Sequence, residues 1–354
     1  MQVDQTYTFV LESWAATPEA LAKSIGGLAI QGSGVGFFEH VDIEARIASA
    51  ANSAANADVV IVFTGTTAEF ESEGYDRDTL DLTREQYQLV AAVSAAKPKR
   101  GTVVINYSGA PVNMIPFVAH DSGTEAILQA WFPGQEYGRS IASLLTGEIN
   151  PCGHLPMSWP KRIEDNPSYG NFPAVDDVIR YEEGTFVGYR HYDLPNAPEP
   201  LFPFGFGLSY TNFEVRSTSI AAPEILSDVD GKITVSGLVA NTGACAGKVV
   251  LQFYVQSPTP VGFVLPSVGN RLSESNSARP IKELKAFEKV LLQPGESRNV
   301  SVELDRYAVS FYNETGTCWQ VLRGTYKLLV GFSAAEIVGE VEFRVEDDFT
   351  WNGI

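Results

Sequence analysis

The sequence predicts an α/β plus β protein, in which a parallel α/β sandwich domain is followed by an antiparallel β-sandwich. Three observations carry this. Between about residues 38 and 165, helical patterns alternate with short, fully apolar strands, the signature of a parallel sheet covered on both faces. From 211 to 345 about seven strands recur with turns between them and no helical periodicity. Between these zones, residues 166–210 form a connection rich in Pro, Gly, Tyr and Phe, too aromatic to hang free in water.

In the first zone, Ile43, Ile47, Ala50, Ala51 and Ala54 fall at helical spacing and lead into an apolar strand, Val59 to Thr64. A second helix is expected behind Thr83, with Gln86 three residues on completing a capping box and Leu82 and Tyr87 placed as a hydrophobic staple. It stops before Pro98, and Thr102 to Asn106 and Ala126 to Trp131 read as further strands. A helix from about Gln135 to Thr146 ends at Gly147. In the last zone the expected strands are 213–220, 233–240, 249–256, 284–292, 299–304, 326–331 and 338–343. Residues 1–37 show one alternating segment, Tyr7 to Leu11, and a Gly-rich stretch, too little to bury a face alone.

With 354 residues, two or three hydrophobic cores are expected. The net charge of −18 would repel a phosphate backbone, so nucleic acid and anionic membrane surfaces are not expected partners. No apolar run reaches the roughly 20 residues that span a bilayer, and the first residues lack the basic and apolar regions of a signal peptide. Cys152, Cys245 and Cys318 are too few and too scattered for a disulfide framework or a zinc site, and read as buried thiols.

The densest ionisable cluster, TAEFESEGYDRDTLD, follows the strand ending at Thr64. The crevice beyond the carboxyl ends of a parallel sheet is where ligands bind in such folds, so this loop is well placed for chemistry. Glu69, Glu71 and Glu73 alternate and would share one side of an extended segment, where crowded like charges favour the protonated acid. A solvated acidic loop with a local Asp76 and Arg77 ion pair is the plainer alternative; a Ca²⁺ loop does not fit the spacing. His154 and His191 have no partner at metal-ligand spacing and read as structural. Ser108 lies outside a Gly-x-Ser-x-Gly elbow, and Phe204 to Leu208 has neither the Lys nor the helix of a phosphate cradle. No metal or cofactor is expected. The aromatics Phe186, Tyr189, Tyr192, Phe202, Phe204 and Phe206 could stack on sugars but read better as core.

The ordered run ESEGYDR, LDLTREQ, VVINYSGAPVNM, AILQAWFPGQEYGRSIASLLTGEINPCGHLPMSWP, YEEGTFVGYRHYD and LFPFGFGLSYTNF resembles the C-terminal part of glycoside hydrolase family 3, the β-glucosidase group, over about residues 38 to 345. The resemblance implies an α/β sandwich domain (38–165) carrying the acid/base loop, an interdomain connector (166–210) and a fibronectin type III-like domain (211–345). It further implies that 1–37 is the tail of an inserted protective-antigen-type β-domain. It also implies a retaining mechanism with two carboxylates about 5 Å apart. The general acid/base falls on Glu73, the Glu before Gly74, with Glu71 as the fallback should the loop alignment slip by two.

The family nucleophile lies in a TIM barrel, in a segment ending Asp-Trp. Here the residues before the five tryptophans are Ser13, Ala130, Ser158, Cys318 and Thr350, so the nucleophile and its barrel are missing and are expected as a partner. The implied substrate is a β-glucoside or oligosaccharide, as in cellulose and other polysaccharide degradation. A β-xylosidase or a non-catalytic carbohydrate-binding fragment are the alternatives. The resemblance implies secretion, with a cytoplasmic location as the alternative. Of the three sequons, Asn106 ends a buried strand, whereas Asn299 and Asn313 lie in the expected β-sandwich, where exposed turns would admit a glycan if the protein is secreted.

Overall fold

The computed structural model describes residues 41–353 apart from Tyr75, Val175, 222–224, 227–229 and 259–278, so the segment 1–37 lies outside the described residues. The chain forms two compact units, Met1–Val112 with Pro116–Phe132, and Asn113–Ile115 with Pro133–Ile354.

In the first unit, helix α1 (Ile43–Ala54) begins where the Asp42 carboxylate accepts the Ala45 N–H at 2.9 Å, satisfying one of the orphan donors of its first turn. Strands β1 (Val60–Gly65), β2 (Thr102–Tyr107) and β3 (Thr124–Gln129) form a parallel sheet in that order, and α2 (Arg84–Ala95) connects β1 to β2. Val90 and Val93 of α2, Val104 and Ile105 of β2 and Phe117 are buried. The pairing sets Thr64 opposite Asn106 and Asn106 opposite Gln129, so the chain leaves β1 and β2 at neighbouring points. Coverage of both sheet faces does not hold at β1. Val62 and Thr64 are buried, but Ile61 and Phe63, which point the other way, are 42% and 57% exposed. This edge strand therefore keeps one apolar face open among the described residues, which the apolar composition of the strand alone could not reveal.

In the second unit, α3 (Tyr137–Leu145) ends at Thr146, followed by Gly147 at φ +75°. The β-sandwich comprises β4 (Phe213–Ile220), β5 (Ile225–Leu226), β6 (Ile233–Asn241), β7 (Gly247–Gln256), β8 (Glu283–Leu292), β9 (Ser297–Leu304), β12 (Gly324–Gly331) and β13 (Ile337–Val345). One sheet has the order β5-β13-β12-β7-β8 and the other β4-β6-β9. Val235, Val239, Leu251, Phe253, Leu328 and Val330 are fully buried between them. A third small sheet of β10 (Phe311–Asn313), β11 (Cys318–Val321) and β14 (Phe349–Trp351) stacks Trp319 on Trp351 at 5.6 Å between ring centres. Such short strands carry too few residues for an alternation to show in sequence.

The aromatic connector packs on this sandwich. Tyr189 stacks on Phe204 and meets the edge of Tyr254, and its hydroxyl accepts the Leu284 N–H at 2.7 Å. The Ala334 N–H donates to the Phe204 carbonyl, and Trp159, 1% exposed, exchanges backbone hydrogen bonds with the Leu201–Phe202 segment. Lys282 pairs with Asp193 away from solvent; burial nevertheless holds the Asp193 carboxyl above its ordinary range. Phe186 is buried, and the half-buried Phe202 stacks on Phe206, so these aromatics pack on one another within the unit. The three cysteines are free and half-buried rather than buried. Asn106 is inaccessible, as expected for a strand end; Asn299 is exposed within β9, and the half-buried Asn313 donates to Gln320.

His191 is 7% exposed and its pKa is held down by burial, against the opposing pull of Asp165 and Glu183; burial and the nearby Lys289 lower that of His154. Their folded values lie below the ordinary 6.5, so stability is complete above that pH and is lost as pH falls through the folded values. Urea unfolding of the second unit is expected at lower urea at pH 5 than at pH 7, and His154→Asn with His191→Asn should flatten that difference. The connector itself divides into held and open parts. Arg180 and Tyr181 are exposed, Tyr181 by 82%, whereas Arg190 pairs with Glu283 at 3.1 Å. Brief trypsin treatment should therefore cut after Arg180 before Arg190, read by mass spectrometry.

Candidate acid/base loop

The loop between β1 and α2 is fastened at both ends and once in the middle. At its start, Gly65 approaches β2 so closely that a Cβ there would lie 2.2 Å from the Tyr107 carbonyl oxygen, which restricts the position to glycine. The Gln86 side chain then bonds both polar groups of Gly65, accepting its N–H at 2.7 Å and donating to its carbonyl at 2.9 Å. This corrects the capping-box reading. Thr83 precedes α2 but makes no side-chain cap, and Gln86 closes the loop instead. The staple differs too, since the Tyr87 hydroxyl accepts the Leu82 N–H at 3.0 Å and its ring lies against Phe117. Burial pushes the Tyr87 phenol above its ordinary range, which keeps it a neutral partner.

Behind the loop, the aligned strand ends carry a buried polar relay. Thr64 donates to the Asn106 side-chain oxygen at 3.1 Å, and the Asn106 amide donates to the Ser108 hydroxyl and the Gln129 side-chain oxygen, both at 2.8 Å. Gln129 returns a bond to the Ser108 carbonyl at 3.0 Å. Asn106 and Ser108 are fully buried, so this relay fixes the turn after β2 and leaves Ser108 no access to a substrate.

That turn presents two amides to the acidic loop. Glu71 Oε2 accepts the Gly109 N–H at 2.8 Å and the Thr66 hydroxyl at 2.8 Å. Its Oε1 accepts the Ala110 N–H at 3.0 Å and the Arg77 guanidinium at 3.3 Å, and Arg77 also donates to the Pro111 carbonyl. The side chains of Glu71 and Arg77 are only 15% and 17% exposed. Arg77 is therefore paired with Glu71, where a local pair with Asp76 was the plainer expectation.

The three glutamates do not share a side. Phe70 and Glu71 both donate their N–H groups to the Thr67 carbonyl, so the segment turns where alternation requires extended backbone. Glu71 points inward to its donors, while Glu69 and Glu73 are exposed. Glu73 lies in the chain between the anchored Glu71 and Arg77 and next to Gly74, whose N–H donates to the Ser72 hydroxyl at 3.2 Å. No group of three or more His, Cys, Asp or Glu able to hold a metal occurs among the described residues. No helix among them is long and apolar enough to cross a membrane.

The glycosyl hydrolase family 3 C-terminal domain model matches residues 4–210, and the fibronectin type III-like domain model matches residues 249–334. The chain belongs to glycosyl hydrolase family 3. The family assignment agrees with the parallel sheet followed by antiparallel sheets. Among curated relatives, the probable beta-glucosidase H of Neosartorya fischeri is 40% identical over 352 residues, 99% of this chain and 40% of the relative. The probable beta-glucosidase I of Aspergillus terreus is 39% identical over 361 residues, again 40% of its length. Among solved structures, beta-glucosidase from Kluyveromyces marxianus in complex with glucose has a TM-score of 0.77 at 37% identity, covering 90% of this chain and 35% of that one. A Bifidobacterium adolescentis beta-glucosidase of this family gives 0.76 at 33%, covering 88% and 42%. The chain thus spans about 40% of the length of the curated relatives it matches.

Sequence reasoning missed Gln86 and Arg77 as loop fasteners. Both were visible as residue types, but each has a local partner at correct spacing, and only the tertiary approach of β2 selects the distant one. Gln86→Ala should cost about 1–3 kcal/mol of unfolding free energy, because it strands a half-buried backbone N–H and C=O at once. Urea unfolding with and without the substitution checks this.

Proposed function

We propose that this chain is the C-terminal part of a retaining β-glucosidase and that Glu73 is its general acid/base, acting on terminal non-reducing β-D-glucosyl residues. The observation that carries the assignment is the contrast between two neighbouring carboxylates. Glu71 has each oxygen occupied by two donors, whereas Glu73 is exposed on a loop anchored on either side of it. A group that gives and takes protons needs access to the substrate oxygen, which Glu71 lacks. The relatives reported above are named as β-glucosidases, which favours a glucoside over a xyloside. In this reading residues 38–165 and 211–345 are the α/β sandwich and fibronectin type III-like domains, 166–210 their connector and 1–37 the tail of an inserted β-domain. Secretion of the parent enzyme belongs to the same reading, with Asn299 as the sequon open to a glycan.

The chemistry then runs in two displacements. Glu73 gives its proton to the glycosidic oxygen as an Asp nucleophile from the barrel region attacks the anomeric carbon, releasing the alcohol and leaving a glycosyl-enzyme ester. Glu73, now a carboxylate, takes a proton from water as that water attacks the same carbon and frees the nucleophile. This chain supplies one of the two carboxylates. Alone it should be inactive on an aryl β-glucoside, and joined to a family N-terminal barrel region it should turn over. In that active form Glu73→Ala should lower kcat on cellobiose by about 10²–10⁴-fold or more, with a smaller loss on a dinitrophenyl glucoside. Azide should restore turnover of the dinitrophenyl substrate, since it needs no general base. A solvated surface loop would instead give only a few-fold change on both substrates and no azide effect.

A further inference from the structure

We propose that Glu71, with Arg77, is a positioning residue that sets where the Glu73 carboxylate stands; this rests on Glu73 acting as the acid/base. The Glu71 carboxylate bridges the loop after β1 to the turn after β2, and that turn is itself fixed by the buried relay from Thr64 through Asn106 to Gln129. Only Ser72 lies between Glu71 and Glu73, which leaves Glu73 little room to move while Glu71 stays bonded. Arg77 holds the other end by bonding Glu71 and the Pro111 carbonyl. The bridge also depends on Gly109. A Cβ at that position would fall 2.8 Å from the Phe132 ring and 3.2 Å from Glu71 Oε2, so a larger residue there would crowd the carboxylate. Charge-assisted bonds to backbone N–H groups are among the strongest that proteins make, which suits a fixed anchor rather than a group that must exchange protons. Displacing a catalytic group by about 1 Å can cost about 10²-fold in rate.

The test compares alanine and glutamine at both positions in the active form, the chain joined to a family barrel region, with cellobiose as substrate. Glu71→Ala should lower kcat by about 10²-fold with KM changed less than a few-fold, the displacement cost above. Glu71→Gln keeps one acceptor for the turn amides and should recover most of that loss. At Glu73 the two substitutions should be equally damaging, because an amide cannot carry the proton. Thr66→Val, which removes one donor and leaves the turn amides bonded, should give a smaller loss than Glu71→Ala and serves if the latter does not fold. In the 354-residue chain itself, the Gly109 and Ala110 amides should exchange with solvent faster in Glu71→Gln than in the parent. If Glu71→Ala or Thr66→Val lowers the melting temperature but leaves kcat intact while Glu73→Ala behaves as an acid/base loss, positioning is overturned and the assignment of Glu73 stands. If the Glu71 variants show the azide-rescued pattern and the Glu73 variants do not, both the positioning role and the assignment of Glu73 are overturned.

Discussion

The bidentate seating of Glu71 on the Gly109 and Ala110 amides is the contact on which the candidate site depends. Without it, the loop after β1 would lose its bridge to the turn after β2, keeping among the described ties the Gln86 bonds to Gly65, the Thr66 N–H on the Tyr107 carbonyl and the Arg77 bond to Pro111. With it, the arc is divided at Glu71, and the exposed carboxylate of Glu73 follows two positions on. The contact is possible because parallel pairing brings the ends of β1 and β2 to the same level, with Gly65 opposite Tyr107. The position beyond the carboxyl ends of a parallel sheet is where such folds gather ligand chemistry, and here the sheet supplies the reason in hydrogen bonds.

The buried relay behind this turn shows how polar groups within a sheet can be fully satisfied and still serve a distant loop. Asn106, fully buried, gives both of its amide hydrogens to partners and accepts from Thr64. A network satisfied in this way specifies one arrangement, since any other would strand a polar group away from water. The second unit uses a comparable device on a larger scale. Tyr189 reaches across to the Leu284 N–H while Asp193 and Lys282 pair beside it, so the connector is fixed by polar contacts inside an aromatic seam.

Much of this architecture was legible before the structure. The strands of the sandwich were legible as recurring short segments between turns, and the helix at Ile43–Ala54 announces itself through its apolar spacing. The site was legible as a motif but not as a geometry. By residue type Glu71 and Glu73 are alike, two glutamates in one acidic run, and only the family resemblance ranks Glu73 first. What distinguishes them is a pair of backbone amides that come from 38 and 39 residues away, and an amide leaves no trace in the residue type. Gln86 was misread for the converse reason, because its spacing from Thr83 satisfies a local rule while its amide is drawn to Gly65 by the tertiary fold. The open face of β1 escaped because a fully apolar strand reads alike whether one or both of its sides are covered.

The central claim is that Glu73 carries the proton to the leaving group, and the dependence of rate on leaving-group acidity tests it most directly. A series of aryl β-glucosides spanning several units of phenol pKa would be measured with the joined enzyme and with its Glu73→Gln variant, plotting log kcat/KM against that pKa. The account predicts a shallow slope for the parent, whose acid neutralises the departing oxygen, and a much steeper negative slope for the variant, which must expel a bare phenolate. Parallel slopes for the two proteins would contradict it.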